Sequence, residues 1–209
     1  WYGNDKVAPS GIDLIGLRKD LEKIGQGVIP SVNPSPNPPI TKVFANIGDV
    51  FYAVAADSSL LWYHHLGHNT GTLDWQGPNL VGSKWTYKDI FSGGGNIIYG
   101  VTNDANSELH WWKHDGSTNG TPKWTGPRVV GSGWDFKHVF SGGNGIIYAV
   151  TNDTERKLIW YKHVGYANGT KDFLGPKEVG HGWDFNHLFS GGGGGIYAVT
   201  HDSKHKLDR

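Results

Sequence analysis

The chain has 209 residues, with 19 Lys+Arg against 19 Asp+Glu and a formal net charge of zero. That balance argues against a nucleic-acid partner, which is held by cations on phosphates, and against a membrane surface held by charge. Cysteine is absent, so disulfides and thiolate metal sites play no part, and no apolar run reaches the roughly 18 residues of a membrane-spanning helix.

Residues 1–29 are irregular. Trp1-Tyr2 matches Trp160-Tyr161, and Ile24-Gly25-Gln26-Gly27 matches Val179-Gly180-His181-Gly182. Leu14, Leu17, Leu21 and Ile24 also have helical spacing behind a possible cap at Asp13. A degenerate half-repeat and a short helix both stay open. Residues 28–39 carry Pro30, Pro34, Pro36, Pro38 and Pro39 and read as an extended surface insertion, because proline lacks the N–H that a ladder needs. The missing initial methionine points to a processed or excised chain.

Regular repeats follow, at about 40–82, 83–131, 132–180 and 181–209. Tyr52, Tyr99, Tyr148 and Tyr197 lie 47, 49 and 49 residues apart. Trp62, Trp111 and Trp160 keep the interval of 49, as do Trp85, Trp134 and Trp183. A fixed period of this size means a repeat architecture. The third repeat predicts four short strands: A at Phe136–Phe140, B at Ile146–Thr151, C at Leu158–His163 and D at Lys177–Val179. Strand B is apolar throughout, as in a strand buried on both faces. Gly120 and Gly169 supply turns with positive φ. Ser141-Gly142-Gly143 and its copies read as A–B hairpin turns; they open no helix, so a phosphate loop is excluded. Four antiparallel strands per repeat define the blade of a β-propeller. The fold class is all-β, a single propeller of four-stranded blades. The count gives four blades, residues 1–27 completing the last; five blades, or a piece of a longer ring, is the alternative.

Several repeated residues could carry chemistry. Trp85, Trp134 and Trp183 follow a Gly-x turn, where an indole can stack on a sugar ring or pack between blades; both readings stay open. Trp62, Trp111 and Trp160, inside strand C, read as inter-blade packing, and the four tyrosines as core. Asp57, Asp104, Asp153 and Asp202 read first as turn formers that accept from backbone N–H groups. Asn103 and Asn152 could reach a sugar hydroxyl or acetamide, or cap that turn. His65, His114 and His163 end strand C. They read as a polar rim that belongs to a sugar site rather than as metal ligands, since no partner carboxylate recurs with them. Asn119-Gly-Thr, Asn168-Gly-Thr and Asn152-Asp-Thr are glycosylation sequons in a secreted chain.

The pattern Val-Gly-x-Gly-Trp-x-Phe-x-x-Val/Leu-Phe-Ser-Gly-Gly, then Gly-Ile-Ile-Tyr-Ala-Val, Leu-x-Trp-Tyr-Lys-His, Gly-Thr and Gly-Pro resembles the tachylectin-type β-propeller lectins. It covers residues 40–209 well and 1–39 poorly. The resemblance implies a secreted lectin for N-acetylglucosamine or N-acetylgalactosamine, with one site per blade or blade junction, no cofactor and no catalysis. Its partners would be glycans with terminal N-acetylhexosamine. The best-known members have five blades, so the count of four departs from them. A propeller glycosidase would need two carboxylates flanking one bond, and no acidic cluster is peculiar to one blade. A hemopexin-like interaction or storage propeller is the other alternative.

Overall fold

A computed structural model of the chain describes residues 38–46, 49–192, 194–201 and 207–208, the last pair as backbone. The expected half-repeat at 1–27 and most of the insertion at 28–39 lie outside the described residues.

The fold is all-β. The first sheet comprises β1 (Ile40–Ala45), β2 (Val50–Ala55), β3 (Leu60–His65) and β4 (Trp75–Gly82). The second comprises β5 (Asp89–Gly94), β6 (Ile97–Val101), β7 (Leu109–His114) and β8 (Trp124–Gly131). The third comprises β9 (His138–Gly143), β10 (Ile146–Val150), β11 (Leu158–His163) and β12 (Phe173–Gly180). The fourth has three strands among the described residues: β13 (His187–Gly192), β14 (Gly195–Val199) and β15 (Leu207–Asp208). Every pairing is antiparallel between strands consecutive in sequence. The first strands of the sheets contact one another in series, β1 with β5, β5 with β9 and β9 with β13. Up-and-down sheets joined along their first strands have the layout of propeller blades.

The register explains the repeated aromatics. Tyr52 pairs with Phe44 on one side and Trp62 on the other. Phe91, Tyr99 and Trp111 form the same row, and so do Phe140, Tyr148 and Trp160. Directly opposed residues share a face, so each sheet presents one Phe-Tyr-Trp row. β2 and β6 are buried almost throughout, as an uninterrupted apolar strand should be.

Several expected boundaries move, strand B by one residue, to Ile146–Val150, and strands A and D by more. Strand A of the third repeat runs His138–Gly143, not Phe136–Phe140. Phe136 packs edge-on against Trp134 and Tyr161 ahead of the strand. Ser141-Gly142-Gly143 is ladder rather than turn, with a register shift opposite Ile146. The turn falls on Asn144 and Gly145, both at positive φ. Strand D begins at Phe173, four residues before Lys177. It passes through the Gly175-Pro176 peptide, which is cis, as are Gly77-Pro78 and Gly126-Pro127. A register shift between Trp160 and Lys162 carries the ladder past Gly175-Pro176.

Candidate ligand-binding site

The strand-C histidines are structural clasps. Tyr52 Oη lies 2.6 Å from Nδ1 of His114, one sheet further on, and Tyr99 Oη lies 2.5 Å from Nδ1 of His163. The other ring nitrogen, Nε2, is 2.8 Å from the Thr121 carbonyl in His114 and 2.6 Å from the Thr170 carbonyl in His163. A carbonyl only accepts, so Nε2 carries the proton and Nδ1 accepts from tyrosine. Each imidazole also stacks on a strand-D ring, His114 on Trp124 at 4.1 Å and His163 on Phe173 at 4.3 Å. Both are 0% exposed. Their nitrogens are fully used, which leaves none for a ligand. Burial pushes both imidazoles below their ordinary pKa; the carbonyl bonds and Asp115 or Asp172 oppose that. His65 differs. It is partly exposed, bonds the Thr72 carbonyl at 3.0 Å and stacks on Trp75, and no tyrosine meets it among the described residues.

The tryptophans divide likewise. Trp85 and Trp134 are 6% exposed. Trp85 packs against Trp112 and Trp124, and Trp134 against Tyr161 and Phe173, so both lie in the core at the end of a sheet. Trp183 is partly exposed. Trp62 and Trp111 donate from Nε1 to carbonyls in the strand C–D connection of the next repeat, of Ser117 at 2.8 Å and Tyr166 at 2.7 Å. Gly169 permits that approach: a Cβ there would lie 2.7 Å from the Trp111 ring.

The aspartates hold turns. Asp57 accepts from the Ser59 N–H. Asp104 accepts from the Asn106 and Ser107 N–H groups and the Thr102 hydroxyl. Asp153 accepts from Glu155, Arg156 and Thr151 in the same way. Those bonds hold its carboxyl below the usual range. Asp202 lies outside the described residues.

Beside the Asp104 turn is an open cavity of about 470 Å³ lined by Lys84, Thr86, Tyr87, Thr102, Asn103, Asp104 and His110. Of the residues singled out from the sequence, it contains Asn103, read as a sugar contact, and Asp104, read as a turn former. The amide of Asn103 has no partner among the described residues, whereas Asn152 donates to the Asp135 carbonyl at 2.9 Å. Tyr87 and His110 escape a reading built on repeated landmarks because they break the repeat: 49 residues on stand Phe136 and Ile159. That departure is the signal that could have found them. The lining offers hydroxyl, amide, phenol, ammonium and carboxylate groups around a partly apolar floor, which suits a small polyhydroxylated ligand.

Fold and cavity together define a repeat scaffold of propeller-like blades with a polar pocket at its rim. A family model described as Tachylectin matches residues 127–209. That span is short of half the chain, and over it the sequence is similar to the tachylectin family. No curated protein and no solved structure matches the chain.

Proposed function

We propose that the protein is a secreted, non-enzymatic lectin that binds terminal N-acetylglucosamine or N-acetylgalactosamine on glycans through several sites, one per blade or blade junction. The family match over residues 127–209 carries this reading. The cavity of the second repeat supports it, because the side chains of Thr86, Asn103 and Lys84 offer donors and acceptors that no described residue uses. Asn103 and Asn152 are the side chains proposed to meet the sugar, with His65 and Trp183 as partly exposed candidates. His114, His163, Trp85 and Trp134 support the site from the core. Weak single sites gain avidity when several act on one glycan surface.

The test is thermal unfolding with added sugar. A ligand of the folded state raises the midpoint by linkage. N-acetylglucosamine at millimolar concentration should raise it, and glucose, which lacks the acetamide, should raise it much less. Equal protection by both would show that the acetamide is not read. No protection by either, and no binding on a glycan array, would favour an interaction or storage propeller.

A further inference from the structure

The second repeat departs from the others at five positions that touch one another. Tyr87 stands where the third repeat has Phe136, Gly100 for Ala149, Glu108 for Lys157, His110 for Ile159 and Trp112 for Tyr161. Four of them form one hydrogen-bonded chain. Trp112 Nε1 donates to Tyr87 Oη at 2.8 Å. Tyr87 Oη lies 3.0 Å from His110 Nδ1. His110 Nε2 lies 3.1 Å from Glu108 Oε2. A carboxylate accepts, so Nε2 carries the proton, Nδ1 accepts, and the phenol donates to it. Gly100 makes the room, since a Cβ there would sit 2.5 Å from the Tyr87 ring. The alanine of the third repeat could not stand under such a ring.

This chain leaves Tyr87 Oη with one committed proton, one lone pair accepting from Trp112 and one lone pair unused. Tyr87 and His110 both line the cavity. The opening itself depends on a further departure. At the next boundary Asp135 is paired with Lys88 at 2.6 Å, and Asp184 is paired with Lys137 and Arg156. At the boundary of the first and second sheets, Thr86 of the second repeat stands in place of that aspartate and Thr41 of the first repeat in place of the lysine. Among the described residues no ion pair crosses its mouth, and the Asn103 amide makes no hydrogen bond there.

We infer that the second repeat holds a binding site with its own specificity, in which the oriented Tyr87 oxygen accepts a hydrogen bond from a hydroxyl or amide N–H of an acetamido sugar. The third repeat, with Phe136 and Ile159 there, lacks that acceptor and presents an apolar wall. The sites are therefore not equivalent. The inference rests on the lectin reading above and deepens it. Burial keeps the Tyr87 phenol protonated by raising its pKa, in keeping with its role as donor to His110.

Indole N–H resonances separate the two sites. Trp112 reports on the second repeat through its bond to Tyr87, and Trp134 reports on the third through its contact with Phe136. Titration with N-acetylglucosamine should shift the Trp112 signal at a lower sugar concentration than the Trp134 signal. Tyr87→Phe, the residue of the third repeat, should weaken the second site about tenfold, the effect of one hydrogen bond, and leave the third unchanged. Because Trp112 loses its acceptor in that variant, Gly100→Ala provides an independent displacement of the Tyr87 ring and should weaken the same site. The reciprocal variant, Ala149→Gly with Phe136→Tyr, Lys157→Glu and Ile159→His, should strengthen the third site. Equal affinities at both sites, unmoved by Tyr87→Phe and Gly100→Ala, would overturn the inference and leave the lectin reading intact. If no indole shifts with either acetamido sugar, both fall.

Discussion

The boundary between the second and third sheets and the boundary between the third and fourth begin from nearly the same sequence and end differently. At the first, Tyr99 and Trp111 are sealed; Tyr99 bonds His163, and Trp111 donates to Tyr166 in the turn after β11. At the second, Tyr148 and Trp160 are only half-buried, and neither the Tyr148 hydroxyl nor the Trp160 indole N–H has a hydrogen-bond partner among the described residues. Lys177 lies over the Trp160 ring at 5.4 Å, as Arg128 lies over Trp111 at 5.6 Å. The local sheet is thus complete in both places. What seals the first is the strand-C end and following turn of the third sheet, which supply a histidine, a carbonyl and a glycine; their counterparts beside Tyr148 and Trp160 lie outside the described residues. An aromatic row in a repeat protein is half of an interface, and its worth is set by the neighbour.

The largest expected effect breaks the sealed boundary. Trp111→Ala removes a buried indole and its hydrogen bond, and should cost about 3–5 kcal/mol in denaturant unfolding. Trp160→Ala, at the half-buried equivalent, should cost distinctly less. Equal losses would mean that Trp160 is as well packed as Trp111. A smaller step removes one oxygen. Tyr99→Phe leaves the buried Nδ1 of His163 without a donor and should cost about 1–3 kcal/mol, whereas Tyr148→Phe should change stability by less than about 0.5 kcal/mol. A double-mutant cycle of Tyr99→Phe with His163→Gln should show strong coupling.

Much of this was legible in the sequence, and what was not has a physical reason. The period of 49 residues and the apolar B strands predict the sheets, and the Trp62 and Trp111 spacing predicts their place between sheets. The edges were misread where glycine and proline act against their usual tendency. Ser141-Gly142-Gly143 stays in the ladder, through a register shift opposite Ile146, and the chain reverses over Asn144-Gly145, with Gly143 already at positive φ. His114 and His163 read as a rim because a strand-end Lys-His pair looks polar; their tyrosine partners lie 62 and 64 residues earlier. Only the stacking of sheets reveals that pairing. The cavity was missed for the opposite reason. Repeat analysis rewards what recurs, while Tyr87, Gly100 and His110 matter by not recurring.

The tyrosine-histidine clasp also predicts a pH dependence. The folded pKa values of His114 and His163 lie below the unfolded value of about 6.5. As pH falls, the unfolded chain takes up the protons first, so it binds more of them than the folded chain. Stability from this source is full above about 6.5 and declines as pH drops through that value toward the folded pKa. A proton on Nδ1 would also turn that acceptor into a second donor facing Tyr99. The urea midpoint should fall between pH 7.5 and 5.5. His163→Gln should have a lower midpoint at pH 7.5 and a shallower decline. A decline as steep as that of the parent would place the titration elsewhere, for instance on His138, which is shifted the same way.

The smallest effect asks whether ion pairs or aromatics hold the boundaries. Lys88 pairs with Asp135 across the second and third sheets, and Lys137 pairs with Asp184 across the third and fourth. The first and second sheets have threonines in both positions, yet Tyr52, Trp62 and His114 there are sealed as tightly as their counterparts one boundary on. The ion pair is therefore not needed for sealing. Asp135 is also well exposed, so solvent screens the attraction, and ordering two side chains offsets part of it. Lys88→Met should shift the unfolding midpoint little, by less than about 1 kcal/mol, and the shift should vanish as salt rises toward 1 M. A large, salt-resistant loss would mean that the lysine stem packs at the boundary and contributes through its methylenes rather than its charge.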